Sequence, residues 1–246
     1  MTDTTVPASP VPEKGPVARF FGVLLAPTET FRAVAAKPTW LVMALIVIVL
    51  TGGSQLWFQS TDIGRQATLD EAVRKTEAFG FKVNDQMYEG MRKSIMEPPA
   101  WRVALSAGTI VVFSLAIWAV IAGLLFLVFA STGGQATFKQ VFAVIVHSSV
   151  VSALGTIIMT PVNYFRESLS SATNLDVLLP FLPDGSFLAR LAGMVDVFLV
   201  WWVMVMAIGL AVCYKKKTRN VAMGLFAVYG VIAVAIAAFM AMRSSS

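Results

Sequence analysis

Residues 103–130 read VALSAGTIVVFSLAIWAVIAGLLFLVFA, an unbroken run without one charged side chain. The hydrocarbon core of a bilayer offers no water to backbone amides, so about 20 mostly apolar residues in a row imply a helix that crosses it. Outward from this run, four more stretches meet the same test, at residues 40–58, 138–161, 187–214 and 221–242. Those at 103–130 and 187–214 are longer than a bilayer requires, which tilt or projection beyond the interface accommodates. In 40–58 the second half, Thr51-Gly52-Gly53-Ser54-Gln55, is polar enough to want helix neighbours rather than lipid, and the paired glycines suit close packing.

The whole composition agrees. Of 246 residues 57% are hydrophobic and 13% charged, with a mean hydropathy of +0.74. That leaves too little polar surface to cover a soluble core, which excludes an ordinary soluble enzyme. The expected fold is an all-α polytopic membrane bundle of five transmembrane helices. Cys213 is the only cysteine and His147 the only histidine, so neither a disulfide nor the usual metal cluster can form within the chain. No phosphate-binding loop, zinc-binding helix or nucleophile elbow occurs, and the expectation is no enzyme activity and no cofactor.

Around the spans, residues 1–16 are rich in Thr, Pro and Ser and read as a disordered tail rather than an export peptide. Residues 17–38 suggest two interfacial helices. In the first, Val17, Phe20, Phe21, Leu24 and Leu25 share a face and Pro27 ends it; the second starts with Thr28 as cap and stops at Lys37-Pro38. The membrane domain covers 39–242, and 243–246 is a short polar tail. Residues 59–102 form an extramembrane insert read as a helical hairpin: Thr68-Leu69-Asp70-Glu71 has the layout of a capping box, and Asn84 can cap a second helix that ends at Pro98-Pro99. The insert's seven basic and seven acidic residues cancel, unlike the one-signed patch of a nucleic-acid platform.

With the N-terminus inside, Lys and Arg divide nine to ten between the two faces, so the charge count alone leaves orientation undecided. The densest cluster, Lys215, Lys216, Lys217 and Arg219, sits in a short loop, which favours a cytoplasmic N-terminus and offers a contact for anionic lipid. Within the spans, Asp196 falls about nine residues into 187–214, near mid-bilayer at about 1.5 Å per residue, where a carboxylate needs a partner or a proton. His147, at similar depth in an antiparallel span, is the candidate partner. Ser148, Ser152, Thr156 and Thr160 recur every four residues as a hydroxyl stripe, suited to helix packing or to a polar path. Two functions are open: a non-enzymatic protein that organises membrane or recruits lipid or protein partners, itself included, or a small transporter or channel whose path runs by Asp196 and His147.

Several segments in order resemble a known family: Ala26-Pro27-Thr28-Glu29-Thr30-Phe31 with Lys37-Pro38-Thr39-Trp40, then 133–140 (GGQATFKQ), then Val195-Asp196-Val197-Phe198 followed by Trp201, Trp202 and Gly209-Leu210. Together they resemble the Yip-type (Ypt-interacting protein) family of five-span membrane proteins, in its bacterial branch. The resemblance implies a cytoplasmic N-terminus, a place in a bacterial inner membrane, a non-enzymatic role, and a structural part for Asp196. The family's Tyr and Pro early in the third span are here His147-Ser148-Ser149-Val150-Val151, so no family-specific kink is carried over.

Overall fold

A computed structural model describes residues 15–183 and 186–244, with side chains to 242. Most of the expected tails, 1–16 and 243–246, lies outside these residues. The described chain is helical, with one isolated antiparallel bridge, Asn174 to Asp196. Among the described residues four helices are long and apolar enough to cross a membrane: α3 (Leu41–Ser60), α6 (Ala100–Ser131), the pair α7 (Phe138–Ser148) and α8 (Val150–Phe165) taken as one span, and α11 (Thr218–Ser244). The expected fifth, 187–214, is divided into α9 (Phe187–Met194) and α10 (Val197–Cys213). At 17 residues α10 is about 25 Å long against a hydrocarbon core of about 30 Å.

The span α7–α8 forms the centre. Of its most apolar 18-residue window 72% is buried, against 11% for α6 and for α11, whose apolar sides face outward. Residues Val141 to Val151 are buried without exception. α10 lies antiparallel to this span, with Gly209 against Val144 and Phe198 against Gly155. The helix begins with a reciprocal capping box, Thr137 with Gln140, and Gln140 Nε2 also donates to Ala35 O at 2.9 Å. One box thus starts the span and fastens the N-terminal helices to it.

The span breaks at Ser149, although no proline is present there. Ser148 and Ser149 donate to Val144 O (2.8 Å) and Ile145 O (3.0 Å), and Ser149 has ψ −6°. Consecutive hydroxyls bonding one turn back compete with the helical amides. The interruption is a single turn residue: Ser149 N still donates to Ile145 O and Ala153 N to Ser149 O, both at 3.0 Å, so the two helices continue as one span.

The N-terminal helices are α1 (Pro16–Leu25) and α2 (Pro27–Ala36). Ala26 is the cap of α2 and Pro27 its first residue, so Thr28 lies inside the helix and not at its cap. α2 is wedged against α10 and α7, burying Thr30, Phe31 and Val34. α1 leaves Val17, Phe21 and Leu25 exposed, the outward apolar edge that a membrane interface would cover.

At the other end, α4 (Asp62–Ala78) and α5 (Asp85–Met96) pair as a hairpin. α4 starts earlier than the Thr68 capping box suggests. Thr61 is the cap, accepting from Gly64 N at 3.0 Å, and Thr68 sits in mid-helix with its hydroxyl on Gly64 O. The α3–α4 corner is tight enough that a Cβ on Gly64 would lie 1.8 Å from Phe58 O, so only glycine fits. Asn84 does cap α5, accepting from Met87 N at 2.8 Å.

Candidate functional site

The divided span determines the fate of Asp196. A helix interruption inside an apolar bundle frees backbone groups that must be satisfied locally. Several of them find partners here. Gly193 O accepts from Asn174 Nδ2 at 2.5 Å, Met194 O from the Tyr229 hydroxyl, and Val195 O from Leu175 N at 2.9 Å. On the far side of the break, Val197 N donates to Thr173 O at 3.3 Å. Asp196 Oδ1 accepts from Phe198 N (2.8 Å) and Leu199 N (3.1 Å), making Asp196 the N-cap of α10. Its Oδ2 accepts from Ser171 Oγ at 3.2 Å and from Thr173 Oγ1. The expected mid-helix carboxylate is thus a cap held by four donors.

Asp196 and His147 are not joined by a hydrogen bond. His147 is 1% exposed, and its Nδ1 lies 2.7 Å from Ala143 O. A carbonyl only accepts, so Nδ1 carries the proton and the ring is tied to its own helix. The proposed pair is therefore replaced by two separately satisfied groups. Sequence spacing had placed Asp196 in a continuous helix; the 171–175 segment that breaks it carries no apolar periodicity and gave no warning.

Between α3, α4, α6, α8 and α10 lies a cavity of ≈ 940 Å³. α6 packs on α3 and α7 and makes little contact with α8 or α10, and this gap is where the cavity forms. The hydroxyl stripe contributes part of its wall, in altered phase. Ser152, Thr156 and Thr160 line it, but Ser148 does not; Ser149 takes that place, while Ser148 is fully buried. Thr156 and Thr160 donate to Ser152 O (3.0 Å) and Thr156 O (2.7 Å), which leaves their oxygen lone pairs as acceptors.

Opposite this face stand Thr51, Gln55 and Gln59 of α3, at successive four-residue steps, with Glu71 and Lys75 of α4 at one end. Glu71 Oε1 lies 3.3 Å from Lys75 Nζ, and Oε2 pairs with Arg74. The polar second half of the first span thus finds its neighbours, and Gly52 packs close to Ile110 of α6. Two buried wall atoms, the acceptor Asn163 Oδ1 and the donor Trp202 Nε1, have no hydrogen-bond partner within the protein. Such atoms cost about 1–3 kcal/mol unless something in the cavity meets them. The sequence reading did not single out Gln59 or Asn163, and it read Glu71 only as part of a capping box. The α3 spacing 51, 55, 59 was the available signal for the first of them.

The basic cluster lies at the opposite end. Lys216 Nζ donates to Thr132 Oγ1 at 3.3 Å and sits 5.5 Å from the centre of the Phe129 ring, which stacks on Tyr214 at 4.4 Å. Lys215 and Lys217 are exposed, as is Arg219. Lys216 therefore closes the 132–134 turn onto the end of α10, and the others face outward.

Long apolar helices, a buried central span and helix ends sealed by side chains define a polytopic helical membrane protein. The chain belongs to the Yip1 domain family, whose family model matches residues 21–241. No curated protein and no solved structure matches it.

Proposed function

We propose that this Yip1-domain protein is a non-enzymatic membrane protein that recruits an amphiphilic lipid into the cavity between α3, α6, α8 and α10, and organises the surrounding membrane through it. The carrying observation is the cavity: its walls combine hydroxyls and amides with the apolar Val47, Ile117 and Ile121, and two orphaned polar atoms lie on them. A polar head and an apolar chain together would satisfy both kinds of surface. In this reading α10 is the fifth crossing, with α9 and the 171–175 segment completing it at the interface. The α4–α5 hairpin stands outside the membrane. The N-terminus faces the cytoplasm of a bacterial inner membrane, which is supported by the dense cluster at 215–219 lying at the same end of the bundle as α2 and Lys139.

The test is native mass spectrometry of the full chain released from membrane, with lipid identification, beside a Ser152→Trp variant that fills the cavity. Wild-type protein should retain an amphiphile that the folded variant loses. Equal retention would overturn the reading. The same polar lining favours one alternative, a carrier, which would show solute flux in liposomes that Ser152→Trp abolishes.

A further inference from the structure

A second, smaller cavity of ≈ 450 Å³ adjoins the α4–α5 hairpin, bounded by the end of α3, by α4, by α5 and by the first turns of α6. Its polar lining differs in kind from that of the larger cavity. Two arginines, Arg65 and Arg102, face it together with Gln59, Thr68, Ser94 and Ser106, and no carboxylate lines it. Arg65 Nη2 is bonded to Asp62 at 2.5 Å, but its Nε is buried and has no hydrogen-bond partner within the protein. Arg102 has no acidic partner among the described residues. The start of α6 at Ala100 adds the positive end of a helix dipole beside these cations. Leu56, Ile95 and Val103 form the apolar remainder of the wall.

We propose that this cavity is a phosphate-binding site, for the phosphate of a membrane phospholipid or for free inorganic phosphate. A buried guanidinium N–H without an acceptor is the group that an oxyanion satisfies best, since charge-assisted Arg–phosphate bonds are the strongest of their kind. A second guanidinium and several hydroxyls supply the remaining donors. Arg65 is already paired with Asp62, so the charge left to compensate is that of Arg102; a phosphate meets it with one oxygen and has further oxygens to accept from Arg65 Nε and the hydroxyls. Depth also suits a headgroup. α6 has 32 residues, about 48 Å against a hydrocarbon core of about 30 Å, so its first turns with Arg102 extend to the interface. Gln59 and Thr68 line both cavities, but the two arginines line this one and not the larger, so the proposal does not depend on occupancy of the larger cavity.

The experiment uses full-length protein in nanodiscs. Retention of phosphatidic acid is compared by native mass spectrometry with that of a phosphate-free galactolipid carrying the same acyl chains, for wild type and for Arg65→Gln/Arg102→Gln. Wild type should prefer phosphatidic acid by about tenfold or more, and the double variant should lose that preference. Arg65→Lys/Arg102→Lys should recover part of it, since it keeps the charge but not the fork. If the Gln variant does not fold, Ser94→Trp fills the same cavity from α5 and should give the same loss. In a parallel arm, millimolar inorganic phosphate is added in galactolipid nanodiscs. A rise in melting temperature in wild type that the variant lacks identifies free phosphate as a ligand of the same arginines. Equal retention of the two lipids by wild type, with no thermal response to phosphate, would overturn the proposal, as would an unchanged preference in a folded Gln variant.

Discussion

Replacing Asp196 separates its structural role from a proton-carrying one, because Ala and Asn remove different things. Asp196→Ala deletes the acceptor of the Phe198 and Leu199 amides and of the Ser171 and Thr173 hydroxyls. Loss of an N-cap costs about 0.5–2 kcal/mol, and a buried amide left without a partner costs about 1–3. These overlap, so the expected loss is roughly 2–4 kcal/mol. Asp196→Asn keeps an oxygen for the two amides, and Asn caps helices about as well as Asp. Its Nδ2 meets hydroxyls that can rotate to accept, so the cost should stay below about 1 kcal/mol. Equilibrium unfolding in bicelles measures both. Near-equal destabilisation by Ala and Asn would refute the capping account. Normal stability of Asp196→Asn with loss of a pH-dependent flux in liposomes would instead assign the carboxylate to proton coupling.

Other substitutions test packing and surface contacts. Gly209→Ala would place a Cβ 2.5 Å from Val144 Cγ1 and 3.0 Å from the Phe31 ring; it should destabilise the bundle by about 1–3 kcal/mol in the same assay. Phe31→Ala should cost about 3 kcal/mol and make α2 accessible to limited proteolysis, because Phe31 is fully buried between α2 and α10. Thr137→Ala breaks the capping box of α7 and should lower stability by about 1 kcal/mol. Lys215→Gln/Lys217→Gln should weaken co-sedimentation with anionic vesicles while leaving the melting temperature unchanged, since both side chains are exposed.

The long apolar helices were legible because hydrocarbon imposes length and composition together: 103–130 lies within α6, and 221–242 within α11. Less legible were events that depend on contacts far along the chain. The run at 187–214 is apolar throughout except for Arg190 and Asp196, and nothing local says that Ser171, Thr173 and Asn174 will satisfy a broken helix there. Asp196 could be read as belonging to a structural motif by resemblance, but the donors could not be named. The stripe at 148, 152, 156 and 160 was read from spacing alone, which does not say what packs on each residue: Ser148 lies in the core, and Ser149 lines the cavity beside the other three. The Thr68 capping box failed for a different reason. Thr61 competes as a cap about two turns earlier, and Gly64 permits the sharp corner that makes it usable.

The two helix interruptions and the larger cavity are connected. Ser149 and Asp196 each mark a point where a span departs from helical geometry, and both line the cavity. Non-helical backbone at membrane depth is tolerated only when it is sealed by protein or borders a polar space. At the Asp196 break the sealing comes from Asn174, Tyr229, Thr173 and the carboxylate itself. At Ser149 the amide ladder runs on from Ser149 N to Ile145 O, and the hydroxyls of Ser148 and Ser149 add second bonds to Val144 O and Ile145 O. What stays unsatisfied is shifted onto side chains further along the wall, Asn163 Oδ1 and Trp202 Nε1. A bundle selected for packing alone would close α8 and α10 onto α6 and bury apolar groups at those positions. Burying one acceptor and one donor there without partners costs stability, and a ligand that reached both would recover it as binding energy.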